Sequence, residues 1–398
     1  MDLDVVDQLD VSVHNWSDYN RIYYHPRSIN SIVTHQMNND LTPFDKYMIG
    51  KQSYQDNEKE VESFEENFRF FVEECDHLQG FQIMTDVDDA FGGFTEGLLN
   101  DIRDEFAKTP ILTYGLSDSY AHYRMNKQIV TLNRILSMAH LTDLSSIYIP
   151  IYTPTQTAIQ QCGLSPYIRF NETSRYHTSA IIAAAVETNS LPYRLKNNSI
   201  TISDAINKLS WARNTRLASL SMSFPLPISE KGYSNTLENC ISNRQLKPVL
   251  SFLEQTTHKS VDVYGEVVVA RGLPSNWNNQ YEYLEKLYSG FKDENDPLQS
   301  RFSLESAFPL PNSFPQFFTS NMNQDGYITS SLNRQDPVQS IPILTHLESG
   351  TGLKATTEQL LKELDEINIQ NSTGDNLSEI KERLYSLSDT YMIDNELL

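Results

Sequence analysis

The segment from Gln79 to Phe106, QGFQIMTDVDDAFGGFTEGLLNDIRDEF, predicts a strand that passes through a glycine-containing turn into an amphipathic helix. Many α/β proteins bind a phosphate at such a turn, because the first backbone N–H groups of a helix have no partner within the helix. Here, however, the turn carries Asp86, Asp88 and Asp89. The chemistry of this acidic turn decides between a nucleotide site, a metal site and a turn without a ligand.

Strands and helices alternate along the first half of the chain. Three runs rich in β-branched and aromatic residues predict strands at 80–85, 111–115 and 146–152. Apolar residues at intervals of three and four predict helices at 58–79, around 98–106, and at 125–139, 177–188 and 202–212. We place the cap of the last of these helices at Ser203. This alternation predicts an α/β fold with a mainly parallel sheet that helices cover on both faces.

The second half of the chain has a different pattern. Runs of β-forming residues predict strands at 217–228, 261–270 and 341–346, and two amphipathic segments predict helices at 355–367 and 377–387. Loops rich in Asn and Pro separate several of these elements. We therefore divide the chain into a nucleotide-type domain at 1–214 and a smaller α+β domain at 215–398.

The charge balance limits the partners of the chain. The sequence has 31 Lys and Arg against 52 Asp and Glu, a net charge of −21. Such a surface repels phosphate backbones, so we expect no nucleic acid partner. Hydrophobic residues make up 39% of the chain, which is enough for a packed core. No apolar run reaches the roughly 18 residues that predict a transmembrane helix.

Cysteine and histidine provide no sign of a reactive or metal-binding site. Cys75, Cys162 and Cys240 lie far apart and form no C-x-x-C pair. This usage predicts a reduced compartment, without a disulfide framework or a zinc site. His25 and His177 lie among aromatic residues and are predicted to be structural. The acidic turn is therefore the main candidate for chemistry.

The acidic turn does not match an established ligand motif. An EF-hand loop that begins at Asp86 would need an oxygen ligand, a glycine and a glutamate where Ala90, Phe91 and Gly97 lie. Neither G-x-G-x-x-G nor the Walker motif G-x-x-x-x-G-K-[ST] is present. Binding of a divalent cation by the three aspartates is an open alternative, which a shift of melting temperature with calcium or magnesium would support.

A second strand-to-helix turn lies at Glu348–Leu361, ESGTGLKATTEQLL. Its two glycines and Lys354 resemble a phosphate-binding loop, but the spacing from glycine to lysine is wrong for a P-loop. We predict a plain turn with a helix that is capped by Thr356 or Thr357.

The run LQGFQ before the acidic turn and IRDEF at the end of the helix resemble the phosphate-loop region of tubulins. Together with WSDYNRIYYHPRSI, FFVEECDHLQGFQ, ILTYGL and LPYRL, they resemble the Misato (DML) family of tubulin-related proteins. The similar segments extend from about Trp16 to Ala270 and again near Phe314–Phe318. This resemblance implies a tubulin/FtsZ-like fold and a role in mitochondrial distribution, morphology and inheritance.

The resemblance also makes the acidic turn a degenerate phosphate loop. Aligned from GFQ, the tubulin loop GGGTGSG falls on residues 88–94, so that aspartates replace its first two glycines. At about 5 Å and an effective dielectric of about 20, the repulsion between each carboxylate and a phosphate oxygen is about 3 kcal/mol. GTP is therefore not expected as a cofactor, and the aspartates are predicted to cap the following helix. The loop residues in question are Asp88, Asp89, Gly92, Gly93 and Thr95.

Two further features separate the chain from tubulins. In tubulins, the segment after the helix at 202–212 carries the acidic residue that promotes hydrolysis of a neighbouring subunit's nucleotide. No acidic residue lies between Ala212 and Ile228 here. Family members also begin with a strand and a first phosphate loop well before the WSDYNR tract. This chain begins shortly before the tract, so we expect a truncated or shortened N-terminal part and a strand without its partner.

The resemblance implies a protein that is not an enzyme and binds no cofactor. Such a protein acts through protein partners at the mitochondrial surface or on the cytoskeleton, and we expect it at the cytosolic face of the mitochondrion and in the cytoplasm. The alternative is a GTP-binding cytoskeletal protein of the tubulin/FtsZ type. Equilibrium binding of GTP distinguishes the two hypotheses.

Overall fold

The structure is a computed structural model. It describes residues 9–13, 18, 24–36, 41–212, 214–229, 232–233, 250–253, 263–273, 298–329, 336–367 and 377–391. Cys240, the first two residues of the strand predicted at 261–270 and most of the WSDYNR tract lie outside these ranges. Among the described cysteines, Cys75 and Cys162 are free thiols.

The first sheet contains three parallel strands in the order β1-β2-β3. These strands are β1 (Phe81–Asp86), β2 (Ile111–Ser117) and β3 (Ile147–Tyr152). Successive side chains of β2 point to opposite faces of the sheet. Ile111 packs with Leu99 and Ile102 in one hydrophobic core, while Leu112 packs with Ile181 in the other. The predicted α/β arrangement, a parallel sheet with helices on both faces, is confirmed.

The described part of the chain contains eleven α-helices. The helices are α1 (Leu9–Ser12), α2 (Tyr47–Val61), α3 (Arg69–Glu73), α4 (Phe91–Glu105), α5 (Ala121–Arg124), α6 (Lys127–Leu144), α7 (Gln156–Gln161), α8 (Arg175–Asn189), α9 (Ile202–Ser210), α10 (Leu353–Glu366) and α11 (Leu377–Asp389). Within the described ranges, every helix is too short or too polar to cross a bilayer.

The second half of the chain contributes nine further strands to the described structure. They are β4 (Ser219–Ser223), β5 (Ile228–Ser229), β6 (Gly232–Tyr233), β7 (Leu250–Ser251), β8 (Val263–Arg271), β9 (Leu298–Leu304), β10 (Phe308–Pro309), β11 (Ser340–Ile341) and β12 (Ile343–Gly350). Five of them form a mixed sheet in the order β7-β4-β12-β8-β9, in which β8 and β9 are parallel and the other neighbours are antiparallel. Two short antiparallel pairs, β5 with β6 and β10 with β11, lie outside this sheet.

Backbone hydrogen bonds join the two sheets. The N–H of Tyr148 in β3 donates to the carbonyl of Arg216 at 2.7 Å, and the N–H of Ala218 donates to the carbonyl of Tyr148 at 3.1 Å. The segment after α9 therefore runs directly beside β3 and into β4. The domain boundary that we placed at 214 falls at this junction, and the division into 1–214 and 215–398 stays a prediction.

The prediction of one helix at 58–79 is wrong, because the structure divides this region between two α-helices and a π-helical turn. The helix α2 begins at Tyr47 and ends where Glu62 adopts a left-handed conformation, with φ of 49°. The Glu58 carboxylate then accepts the N–H of Phe64 at 2.9 Å and so starts a new turn. That turn, Phe64–Phe68, is π-helical and leads into α3. Apolar residues keep intervals of three and four across the break at Glu62, so hydrophobic periodicity alone did not reveal the break.

The caps predicted at Ser203 and at Thr356 or Thr357 are also wrong. Thr201, not Ser203, caps α9: its hydroxyl accepts the N–H of Asp204 at 3.1 Å, and the Asp204 carboxylate accepts the N–H of Thr201 at 2.9 Å. This reciprocal pair is a capping box. The helix α10 begins at Leu353 and has no side-chain cap, so the threonines that we proposed already lie inside the helix.

The two histidines that were predicted to be structural pack against aromatic rings. His25 stacks on Phe70 with ring centroids 5.4 Å apart. The ring centroid of His177 lies 5.3 Å from that of Phe317.

A third histidine, His346, is buried in β12, and its ring lies 2.7 Å from the carboxylate of Glu266 in β8. The sequence did not indicate this pair. Carboxylates at Glu348 and Glu266 raise the pKa of His346 despite the opposing effect of burial.

Candidate functional site

The acidic turn lies between the carboxyl end of β1 and the first turn of α4. Asp86 is the last residue of β1, and Phe91 is the first of α4. In parallel sheets, ligands bind beyond the carboxyl ends of the strands, so the turn has the position of a phosphate loop. The side chains decide whether it also has the chemistry of one.

Asp88 is buried in an ion pair with Arg134 of α6. The two side chains are each 5% exposed, and Nε of Arg134 lies 2.6 Å from Oδ1 of Asp88. The other carboxylate oxygen accepts the backbone N–H of Asp118 at 2.6 Å. The Arg134 guanidinium also donates to the carbonyl of Asp118 at 2.9 Å and lies 5.3 Å from the Tyr152 ring. This carboxylate is therefore neutralised by the protein itself.

Asp86 and Asp89 use backbone donors of the turn. Oδ1 of Asp86 accepts the N–H of Asp88 at 2.9 Å. Oδ1 of Asp89 accepts the N–H of Phe91, the first helical residue, at 2.8 Å. The residue at the N-cap position of α4 is Ala90, which makes no side-chain cap, and Asp89 binds the N–H of Phe91 from one position before it. With Asp118 donating to Asp88, each of the three aspartates accepts one backbone N–H group, so these groups are not available to a phosphate.

Crowding of the carboxylates affects their protonation. The surrounding protein and the charges of Asp89 and Asp88 raise the pKa of Asp86 to about 8. Burial raises the pKa of Asp89 to about 6, and the charge of Asp88 adds to the effect. Arg175 opposes both shifts but does not cancel them.

Gly92 and Gly93 serve packing between helices. A Cβ at Gly93 would overlap the carbonyl oxygen of Tyr47 in α2, and one at Gly92 would overlap the hydroxyl of Ser137 in α6. Gly50 of α2 makes the reciprocal approach, since a Cβ there would overlap the carbonyl of Ala90. In tubulin-like loops, glycines allow backbone N–H groups to approach a phosphate. Here the same positions allow α2 and α6 to approach α4 closely.

Thr95 and Phe91 complete the turn. The Thr95 hydroxyl is buried and donates to the hydroxyl of Thr85 in β1 at 2.8 Å, so it ties α4 to the sheet. Phe91 is 41% exposed and contacts the ring of Phe44 edge-on, with centroids 5.1 Å apart. The Phe91 ring therefore packs at the protein surface beside the start of α4.

Sequence reasoning missed two residues that hold the turn, Asn133 and Arg134. The Asn133 side chain donates to the carbonyls of Asp88 and Asp45, at 2.8 and 2.7 Å, and accepts the N–H of Tyr47 at 2.9 Å. Both residues lie on α6, more than 40 positions from the turn. The signal in the sequence is that Asn133 and Arg134 are polar although they lie on the buried side of α6.

The structure does not bring the three aspartates together as cation ligands. In the described part of the chain, no group of three His, Cys, Asp or Glu side chains is arranged to hold a metal ion. Asp88 is directed to Arg134, and the other two bind backbone N–H groups. The arrangement does not fit a bound magnesium ion, nor does it fit the phosphates of GTP.

The second turn does not form a phosphate cradle either. Lys354 lies within α10, 3.6 Å from the Glu358 carboxylate one turn later. Its backbone N–H donates to the carbonyl of Thr351 at 3.2 Å. The prediction of a plain strand-to-helix turn fits this arrangement.

A separate cavity of about 360 Å³ lies where α2, α4, α6 and α11 meet. The charged groups around it are paired: Lys51 with the buried Glu96 at 2.9 Å, and Arg383 with Asp143 at 2.9 Å. His140 lies 3.6 Å from Glu96. The pair of Arg383 with Asp143 connects α11 to α6, whereas Glu96 binds α4 to its neighbours α2 and α6. These pairs give no indication of a ligand.

Sequence similarity relates this chain to known proteins over most of its length. A family described as "Tubulin domain" matches residues 7–195. Protein DML1 of Gibberella zeae is 28% identical over 367 residues, covering 86% of this chain and 71% of that protein. Protein misato homolog 1 of mouse is 25% identical over 429 residues, covering 97% of this chain and 74% of that protein.

This chain belongs to the Misato/DML family of tubulin-related proteins. A third relative, Protein DML1 of Phaeosphaeria nodorum, is 38% identical over 191 residues, which is 47% of this chain but 35% of that protein. The names of these relatives state no enzyme activity. The fold predicted from the family resemblance is confirmed, and the interpretation of the acidic turn as a degenerate phosphate loop stays a prediction.

Proposed function

We propose that this chain is a non-enzymatic tubulin-related protein that acts in mitochondrial distribution, morphology and inheritance. Its membership of the Misato/DML family supports the proposal, since that resemblance implies the mitochondrial role. We further propose that it binds protein partners at the cytosolic face of the mitochondrion or on the cytoskeleton.

One observation supports the non-enzymatic part most strongly. The N–H groups of Asp88 and Phe91, which a tubulin-like loop would offer to phosphate, donate to the carboxylates of Asp86 and Asp89. The third carboxylate, Asp88, accepts the N–H of Asp118 from the end of β2. The protein thus supplies its own anions where a nucleotide would supply them. The absence of an acidic residue between Ala212 and Ile228 also agrees with a protein that does not activate hydrolysis in a neighbouring subunit.

Depletion of the protein tests the cellular role. We expect mitochondria that cluster or fail to enter daughter cells, and a rise in cells without mitochondrial DNA, because partitioning requires the protein. The measurement is fluorescence microscopy of a mitochondrial marker together with counts of cells that have lost mitochondrial DNA. Normal distribution and inheritance after complete depletion would contradict the proposal. Re-expression of the chain should restore the normal pattern.

A further inference from the structure

The helix α11 buries little of its surface. Three of its 13 residues are buried, Ile380, Leu384 and Ser388. Within the described ranges, every other α-helix of nine or more residues has at least four buried residues. A helix with few buried side chains can open locally at a low cost in free energy. Among the long helices, α11 is therefore the first candidate to separate from its neighbours.

The ion pairs of α11 lie at the surface. Arg383 pairs with Asp143 of α6 at 2.9 Å, and the two side chains are 34% and 54% exposed. Lys381 pairs with Asp365 of α10, and these side chains are also partly exposed. Water and salt screen ion pairs of this kind, so the pairs add little to the docking of the helix.

Open space flanks α11 on the side of α6. The cavity of about 360 Å³ lies between α11 and the helices α2, α4 and α6. A second cavity, of about 580 Å³, lies between α11, α6 and the segment 214–216. Atoms that border open space lose the dispersion contacts of a packed interface. Apolar contact is instead concentrated on α10, whose Leu360 and Leu364 share a hydrophobic cluster with Ile380 and Leu384.

Tyr391, two residues after α11, is bound much more firmly. Its side chain is 0% exposed. The hydroxyl accepts the N–H of Leu217 at 2.7 Å and donates to the carbonyl of the same residue at 3.1 Å. Leu217 lies beside Tyr148 of β3, and its N–H and carbonyl point away from that strand. One hydroxyl thus satisfies both backbone groups, as a neighbouring strand would.

We propose that α11 and Tyr391 form a C-terminal latch. In the closed form, Tyr391 lies beside Leu217 and α11 covers α10. In the open form, Tyr391 leaves its site and α11 separates from α6 and α10, while both sheets stay folded. Opening uncovers the leucines of α10 and leaves the backbone of Leu217 without its partner, so Tyr391 controls access to both. The latch is independent of the proposed mitochondrial role.

Amide hydrogen exchange of the full chain tests the latch. An isolated helix of 13 residues is barely stable in water, so α11 loses its internal hydrogen bonds when it separates. We expect the amides of α11 to exchange at least about tenfold faster than those of β2 and β3. Their exchange rates should also respond only weakly to urea, because a local opening exposes little new surface.

Two variants locate the latch. Tyr391→Phe keeps the ring and removes the hydroxyl that binds Leu217, so the open form gains population. We expect the amides of α11 and of Leu217 to exchange about tenfold faster, with those of β2 and β3 unchanged. Tyr385→Phe is the matched control, because Tyr385 lies on the same helix and is 53% exposed. Exchange in this control should stay as it is in the unchanged protein.

Three results would overturn the proposal. If α11 of the unchanged protein exchanges at the same rates and with the same urea dependence as β2, the helix separates only when the whole protein unfolds. If Tyr391→Phe accelerates exchange equally in β2 and α11, the tyrosine is an ordinary core residue. Equal effects of Tyr391→Phe and Tyr385→Phe would remove the role assigned to the hydrogen bonds with Leu217. The first comparison needs no variant, so it decides even where Tyr391→Phe fails to fold.

Discussion

Replacing Arg134 with methionine is expected to lower the free energy of unfolding by about 3 to 5 kcal/mol. The substitution keeps most of the side-chain volume but leaves the Asp88 carboxylate buried without its counter-charge. It also removes the hydrogen bond to the carbonyl of Asp118. A buried charge without a partner is costly because burial disfavours the ionised form and water cannot replace the lost cation. Urea denaturation of the two proteins measures the difference.

Two further variants make this measurement specific. Arg69→Met breaks solvent-exposed ion pairs with Glu105 and Glu65, so we expect a much smaller loss of stability than for Arg134→Met. Asp88→Asn combined with Arg134→Met removes the uncompensated charge and should recover part of the lost stability. If Arg134→Met cost no more than Arg69→Met, the ion pair would not be what holds the acidic turn in place.

Gly50→Ala is expected to destabilise the protein by roughly 3 kcal/mol, at the upper end of ordinary overpacking. The added Cβ would overlap the carbonyl oxygen of Ala90, a backbone atom that can move only if α2 and α4 separate. Alanine favours a helix over glycine by about 1 kcal/mol, which is too little to offset this overlap. Gly93→Ala should behave similarly because its Cβ would overlap the carbonyl of Tyr47.

Gln55→Ala in the same helix is the matched control, because Gln55 is exposed and its replacement leaves the contact between α2 and α4 intact. Its midpoint of thermal unfolding should stay within a few degrees of the unchanged protein. A Gly50→Ala protein as stable as this control would show that the helices tolerate a wider separation. The glycines of the turn would then need another explanation.

The sequence predicted most helices and strands of the fold, but it predicted their first and last residues less accurately. The strands β2 and β3 are buried on both faces, and continuous runs of β-forming residues reveal such strands directly. The start of α2 was missed because YMIGKQ has little apolar periodicity: Gly50 and Ser53 are among its buried residues, where a large apolar side chain would be expected. The cap at Thr201 was missed in favour of Ser203, two positions away, although Asp204 completes a capping box.

The sequence predicted where the candidate site lies but not which groups its side chains bind. The strand, turn and helix placed the acidic turn correctly at the end of β1. The pairing of Asp88 with Arg134 spans 46 positions, and no local pattern predicts which cation reaches a buried carboxylate. In the same way, the sequence suggested a phosphate-binding role for Gly93, whereas its contact with Tyr47 can be recognised only once α2 is docked on α4.

The most direct test of the account is equilibrium binding of labelled GTP in the presence of magnesium. We predict no saturable binding up to about 1 mM, a dissociation constant that corresponds to about −4 kcal/mol. The reason is that backbone N–H groups of the turn already bind the aspartate side chains. Asp88→Lys and Asp89→Lys should leave that result unchanged. Binding of micromolar affinity that either substitution abolishes would contradict the account, and would make the acidic turn a nucleotide site.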